Sequence, residues 1–304
     1  CLSWRALMSQ ENVNKSSKDK NTSSSVSGYG SGTVDVVMSV DQVAKEVEAI
    51  SASAPEINKL AELAENKDFL AINNLKAGYG KMEILHDFNL KIAKGQSLCL
   101  IGPNGAGKST VLHSIFGFTN IFSGSIIVDG QDVTKLTPSQ KLAKAGIAYI
   151  LQDKSVFPQM TVEENLLMGG FLKNKPAEAK IAAEMVFDKY SRLAERRYQP
   201  ANVLSGGERR LLEISRALVM QPNILLVDEP SIGLEPRFID MVFSILGDLQ
   251  KKDGMTLIMV EQNAKKGLAF ADIGYVLVSG QTAIAGTGDE LLENPDVGRL
   301  FLGG

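Results

Sequence analysis

The chain has 304 residues, a formal net charge of −3 and a hydrophobic fraction of 44%. That length and apolar content supply a core for one large domain or two small ones, and the charge balance gives no electrostatic footprint for nucleic acid. Two cysteines, Cys1 and Cys99, are too few for a disulfide framework and favour a reducing compartment; no apolar run approaches the roughly 20 residues of a membrane-spanning helix.

The chain begins at Cys1 rather than methionine, and Met8 is a candidate start. Residues 1–40 read as a disordered tail. Ser9–Gly32 is rich in Ser, Asn, Lys and Gly, buries too little apolar surface to offset its ordering entropy, and lacks the apolar region of a secretory signal. Residues 41–68 read as a helical appendage. Val43, Val47 and Ile50 have helical spacing, Pro55 can open a second helix, and Ile57, Leu60, Ala61 and Ala64 line one face of it. The plain reading is a loosely attached segment; a docking element for a partner is the alternative.

A compact domain begins near Phe69. Alternation through Phe69 and Ala71, then Phe88, Leu90 and Ile92, predicts two antiparallel strands around a turn at Gly78-Tyr79-Gly80. Lys94-Gly95 turns into an apolar strand, Ser97–Ile101, and a helix-compatible run starts at Lys108. Strands are expected at 125–128, 147–151, 224–227, 255–260, 273–278 and 282–285. Helical patterns cover 138–145, 161 to about 198 (with Pro176 opening one helix), the run after Ser205 as far as Pro222, and 241–249. Strands alternating with helices imply an α/β core with a largely parallel sheet.

Three short stretches carry chemistry. Gly102-Pro103-Asn104-Gly105-Ala106-Gly107-Lys108-Ser109-Thr110 lies between an apolar strand and a helix, the context a phosphate-binding P-loop requires. Its glycines let backbone N–H groups converge on one anion, the helix adds its positive end, Lys108 supplies a point charge, and Ser109 offers a hydroxyl to Mg²⁺. Asp228-Glu229 ends an apolar strand. A strand tip beside the P-loop strand puts both acids at the carboxyl edge of the sheet, Asp228 to hold Mg²⁺ through water and Glu229 to act as general base. Leu204-Ser205-Gly206-Gly207-Glu208 opens a helix, and reads both as a second anion site and as an ordinary capping box with Glu208 at its third position.

These three motifs, in this order, resemble the ATP-binding cassette (ABC) ATPase family over about residues 69–304. The resemblance implies an α/β P-loop NTPase cassette: a RecA-like mixed sheet core, an antiparallel β subdomain, and a helical subdomain at about 153–221. It also implies roles for further residues. Tyr79 matches the aromatic that stacks on adenine, and Gln152 the glutamine that senses Mg²⁺ and couples to the membrane subunit. Ser231-Ile232-Gly233-Leu234-Glu235 matches the loop that crosses between subunits. Members of the family work as head-to-tail dimers, each ATP lying between one subunit's Gly102–Thr110 and the other's Ser205–Gly207. The implied partners are a second ATP-binding subunit, identical or related, membrane permease subunits at the cytoplasmic face of the inner or plasma membrane, and indirectly a solute-binding protein.

Met160–Gly170, Val260-Glu261-Gln262-Asn263-Ala264 and the ending Leu300–Gly304 are similar to the second ATPase of branched-chain amino-acid importers. Gln262 stands where most ABC ATPases carry a γ-phosphate-contacting histidine; it can still donate an amide N–H but cannot become cationic. His86 and His113 are elsewhere, in core or surface positions. Gln152 departs from this sub-family, which often has an acidic residue there. The alternatives are an ATPase of urea or amide import, one of lipopolysaccharide export, which looks similar around Glu208-Arg209-Arg210 but normally keeps the histidine, and, from another class, a non-hydrolysing nucleotide-gated scaffold. A scaffold would need a broken Glu229 or Lys108, and both are present.

Overall fold

The computed structural model describes Pro55 and residues 57–152 and 155–302. The tail expected over 1–40 and the helical spacing of Val43, Val47 and Ile50 lie outside the described residues. In order, the amino-terminal elements are α1 (Ile57–Leu63), β1 (Asp68–Tyr79), β2 (Met82–Ala93), β3 (Ser97–Ile101), α2 (Lys108–Phe116), β4 (Asn120–Val128) and β5 (Gln131–Asp132). Next come α3 (Pro138–Ala145), β6 (Ile147–Ile150), α4 (Val162–Gly169), α5 (Pro176–Lys189), α6 (Ser191–Glu195) and α7 (Gly206–Leu218). The chain continues with β7 (Ile224–Asp228), α8 (Pro236–Lys251), β8 (Thr256–Val260), α9 (Ala264–Phe270), β9 (Ile273–Val278), β10 (Gln281–Thr287), α10 (Gly288–Glu293) and α11 (Pro295–Phe301).

Two sheets form. One is antiparallel, in the order β2-β1-β4-β5; the other runs β10-β9-β3-β8-β7-β6 and is parallel except for the edge strand β10. The apolar runs in the parallel sheet have no polar face because both faces are covered. Along β7, Ile224 and Leu226 enter one core with α2 and the antiparallel sheet, while Leu225 and Val227 enter the other with α8 and α9. A third core, built on Leu166, Phe187, Leu193, Leu204 and Leu212, holds the helices between β6 and β7 together.

Three expectations need correction. The β1–β2 turn falls at Gly80-Lys81, with Gly78 and Tyr79 already paired to Glu83 and Met82, because Gly80 takes the left-handed conformation a two-residue loop requires. The second helix begins at Ile57 rather than Pro55, and it is seated rather than loosely attached: Leu60 is 2% exposed within the first core, and Gln96 Nε2 donates to Leu63 O at 3.0 Å. Finally, the strand carrying Asp228 is not beside the P-loop strand. β8 lies between them, so the acids reach the loop across one intervening strand.

Candidate functional site

The parallel strands β3, β6, β7 and β8 deliver their carboxyl ends to one edge of the sheet, the edge where open α/β folds bind ligands. Gly102 follows β3 at φ +145°, and a Cβ there would sit 2.2 Å from Leu277 O of β9, so only glycine lets the loop leave the sheet this tightly. Gly280 N donates to Ala106 O at 3.0 Å and Ala106 N to Pro103 O at 3.2 Å, which fixes the loop's curl. The Lys108 ammonium folds back into it, donating to Gly102 O at 2.8 Å and Pro103 O at 2.9 Å. An ammonium has three donors, so one remains for a phosphate oxygen. Burial pulls the Lys108 pKa down from its ordinary value, opposed by Glu229 and Asp228. An open cavity of about 280 Å³ is lined by Asn104, Gly105, Gly107, Lys108, Ser109, Thr110 and Glu229 together with Ile84.

The carboxylates meet this loop from β7. Ser109 Oγ donates to Asp228 Oδ1 at 3.3 Å, and Tyr149 OH donates to Asp228 Oδ2 at 2.9 Å. Gln152 Nε2, just past β6, donates to Glu229 Oε2 at 2.8 Å. Glu229 itself has φ +44°, a conformation that costs a side-chain-bearing residue energy and marks a site where the fold over-determines the backbone. Gln262 is exposed just past β8, the strand between β3 and β7.

Ser205 forms the capping box of α7: its hydroxyl accepts from Glu208 N at 3.3 Å, while Glu208 Oε2 accepts from Ser205 N and Oγ at 3.0 and 2.8 Å. These bonds hold the Glu208 carboxyl below the usual range. The two glycines differ. A Cβ on Gly206 would meet nothing nearer than Leu234 Cδ2 at 3.8 Å, whereas one on Gly207 would sit 2.2 Å from Phe238 Cδ1. Gly206 is therefore open to approach, and Gly207 is set by packing. Leu204 is buried in the helical core. Gly206 faces a separate groove shared with Gln152, Arg210 and Ile232-Gly233-Leu234, so within one chain the cap does not line the P-loop cavity.

Sequence reasoning missed several groups. Tyr149 is a lone hydroxyl in the apolar strand β6, and that oddity was its only signal; burial raises its pKa, as does the adjoining Asp228. His113 accepts or donates a hydrogen bond with the half-exposed Tyr79 hydroxyl and packs edge-on against both Tyr79 and Tyr149. An aromatic chain thus runs from Tyr79 to the Asp228 carboxylate. Arg210, 5% exposed, reaches from α7 to Leu151 O at 3.1 Å and Glu213 Oε2 at 2.7 Å, tying the capped helix to the end of β6.

The donor set fits a nucleoside triphosphate with a hard divalent cation. The N-cap of α2, Gly107, makes no side-chain hydrogen bond; α5 and α8 are likewise uncapped, but only α2 opens from a glycine loop that holds the Lys108 ammonium, so its first N–H groups are placed for an anion. Among the described residues there is no cluster of three or more His, Cys, Asp or Glu suited to a metal. A cation held by the Ser109 hydroxyl, the Asp228 carboxylate and the Gln152 amide oxygen would complete its shell with phosphate and water, as Mg²⁺ does.

Comparison with known proteins agrees with this geometry. The family model described as ABC transporter matches residues 85–232. The high-affinity branched-chain amino acid transport ATP-binding protein BraG of Pseudomonas aeruginosa is 42% identical over 77% of this chain and 100% of its own length. The probable branched-chain amino acid transport ATP-binding protein LivF of Archaeoglobus fulgidus is 39% identical over 75% of this chain and 96% of its own. The lipopolysaccharide export system ATP-binding protein LptB of Haemophilus influenzae is 30% identical over 77% and 97%. Among solved structures, the ADP conformation of MJ1267, an ATP-binding cassette of an ABC transporter, superposes with a TM-score of 0.68 at 28% identity, over 78% of this chain and 99% of that one.

Proposed function

Since the chain belongs to the ABC transporter ATP-binding family, we propose that it is the ATP-hydrolysing subunit of a membrane importer, with branched-chain amino acids as its solutes. One observation carries the reading: Lys108, Ser109, Asp228, Gln152 and Glu229, drawn from three strand ends, converge on one cradle with a bare helix N-terminus. Lys108 and the backbone amides of Gly105 and Gly107–Thr110 bind the phosphates, while the Ala106 amide holds the loop through Pro103 O. Ser109, Gln152 and Asp228 hold Mg²⁺, which when bound neutralises charge on the phosphate oxygens. Glu229 takes a proton from the attacking water, and Gln152 orients its carboxylate beforehand. Tyr79 offers an exposed ring to the adenine, and Gln262 an amide N–H to the terminal phosphate.

The separation of the Ser205 cap from the P-loop cavity supports a head-to-tail pair in which Leu204–Glu208 of a second ATP-binding subunit closes on the nucleotide. ATP then holds the pair shut and hydrolysis releases it, which moves attached permease subunits that receive solute from a binding protein. No described helix is long and apolar enough to cross a membrane; the proposed attachment at the cytoplasmic face is through those permeases, as the transport role of the relatives suggests. The branched-chain assignment rests on relatives 39–42% identical, against 30% for the lipopolysaccharide-export relative. Single-turnover hydrolysis of Mg·ATP by the purified chain tests the enzyme, and co-purification with permeases and solute uptake in a strain lacking the chain tests the transport role. Absence of turnover in the first would overturn the proposal.

A further inference from the structure

Glu261 is a carboxylate that the site described above does not use, and it is 2% exposed. Its Oε1 accepts two hydrogen bonds, from Ser231 Oγ at 2.7 Å and from Asn263 N at 3.0 Å. Its Oε2 is buried with no hydrogen-bond partner among the described residues. The stem lies over an apolar floor: a Cβ on Gly267 would sit 2.6 Å from Cys99 Sγ and 3.0 Å from Glu261 Cβ. Burying a carboxylate with one oxygen unanswered is expensive, and such a group in a folded protein calls for an explanation.

Its neighbours supply one. β7 and β8 are adjacent with Asp228 opposite Val260, and Glu229 N donates to Val260 O at 2.9 Å, so the two loops leave the sheet side by side. The first carries Glu229 and then Ser231; the second carries Gln262 and then Asn263, whose side chain caps α9 by accepting from Lys266 N at 3.0 Å. Glu261 therefore grips the first loop through Ser231 while bracing the backbone on the far side of Gln262. Resting on the ATPase reading, we infer that Glu261 is a positioning residue that ties the loop starting at Ser231 to Gln262, so that the placement of this loop sets how Gln262 and Glu229 address the terminal phosphate. If Ser231 is drawn away, the buried carboxylate loses a charge-assisted donor, and that cost favours the aligned arrangement.

The test is steady-state Mg·ATP hydrolysis by the full chain as wild type, Ser231→Ala, Glu261→Ala, Glu261→Gln and the Ser231→Ala/Glu261→Ala double variant. Ser231→Ala and Glu261→Ala should each lower kcat about tenfold, the kinetic reading of one charge-assisted hydrogen bond, with KM for ATP moved less than about twofold. The double variant should be no slower than Glu261→Ala, because both changes break the same link. Glu261→Gln keeps an acceptor oxygen and should recover most of the rate. Losses that multiply in the double variant, or a Glu261→Gln rate as low as Glu261→Ala, overturn the inference. Ser231 is only partly buried, so Ser231→Ala keeps the fold in any case, and an unchanged kcat there overturns the inference alone. A wild type without turnover fails the ATPase reading instead, so the two failures are distinguishable.

Discussion

Replacing Lys141 by methionine tests how the helix carrying Lys108 and Ser109 is supported. Lys141 lies on α3, is 0% exposed, and points its ammonium at the last turn of α2, donating to Ser114 O at 3.1 Å. A cation at a helix carboxyl end is favoured by the helix dipole, yet burial dominates and brings the Lys141 pKa down from 10.5 to about 8, with Asp132 opposing. A lysine whose pKa is depressed in the folded state penalises the fold fully below pH 8, where both states are charged. As pH rises from 8 towards 10.5, the native state releases its proton first, the unfolded state binds more protons, and stability rises. The gain from this residue between pH 7 and 9.5 works out at about 2 kcal/mol. The assay is paired urea unfolding of wild type and Lys141→Met at half-unit pH steps, reading the difference in unfolding free energy so that groups common to both cancel. Wild type should gain on the variant by that amount across the window. A flat difference would show that the ammonium is solvated and that the support of α2 is apolar packing alone.

Four further outcomes are expected. Glu229→Gln should retain Mg·ATP binding, measured by equilibrium dialysis, while hydrolysis falls about 10²–10⁴-fold, the usual worth of a positioned base, and should trap a dimer in the presence of ATP. Lys108→Ala removes the ammonium seated between Gly102 O and Pro103 O, and ATP affinity by titration calorimetry should fall about 10–100-fold for the loss of a charge-assisted hydrogen bond. Gly207→Ala, whose methyl would strike the Phe238 ring, should lower the urea midpoint by the equivalent of about 1–3 kcal/mol, whereas Gly206→Ala should leave the midpoint alone and lower hydrolysis by crowding the face offered to a partner's nucleotide. Leu60→Ala should cost about 2–4 kcal/mol in the same unfolding assay, because α1 is part of the core; an unchanged midpoint would return it to the status of an appendage.

The cradle was legible because its physics is local. Gly102–Thr110 needs glycines, a lysine and a helix start within nine consecutive residues, and a contiguous run exposes all of them. Pro138 preceded by Thr137 and the Ser205–Glu208 box set helix starts that the structure reproduces within a residue. What stayed hidden depends on sheet order. Nothing in 224–229 or 255–260 states that β8 inserts between β3 and β7, since both runs are equally apolar and either order buries them. The short helices α9, α10 and α11 were missed for a related reason: at six or seven residues each they are too brief to show a period, and α9 and α10 are held by packing against β3, β9 and β10, and α11 against α10, rather than by their own pattern.

Ser109, Gln152, Asp228 and Glu229 were legible one by one, and only Tyr149, a lone hydroxyl in an apolar strand, was not; what stayed invisible is which of them meet, because each partner lies far along the chain on a different strand end. Ser109 meets Asp228 across 119 residues, Tyr149 meets the same carboxylate across 79, and Gln152 meets Glu229 across 77. The same edge concentrates features that a stability-optimised fold would avoid: an ammonium buried in a loop of carbonyls, a left-handed glutamate, and Glu261 Oε2 and Arg210 Nε buried without partners among the described residues. Local rules are broken elsewhere too, at the buried Lys141 ammonium and at Ser215 Oγ, but at this edge the exceptions at Lys108, Glu229 and Glu261 stand side by side on adjoining loops, as a site built for a charged ligand requires. On the proposed reading, a phosphate chain would answer the third donor of the Lys108 ammonium, and the bonds from Ser231 and Asn263 to Glu261 would carry the position of the Ser231 loop to Gln262.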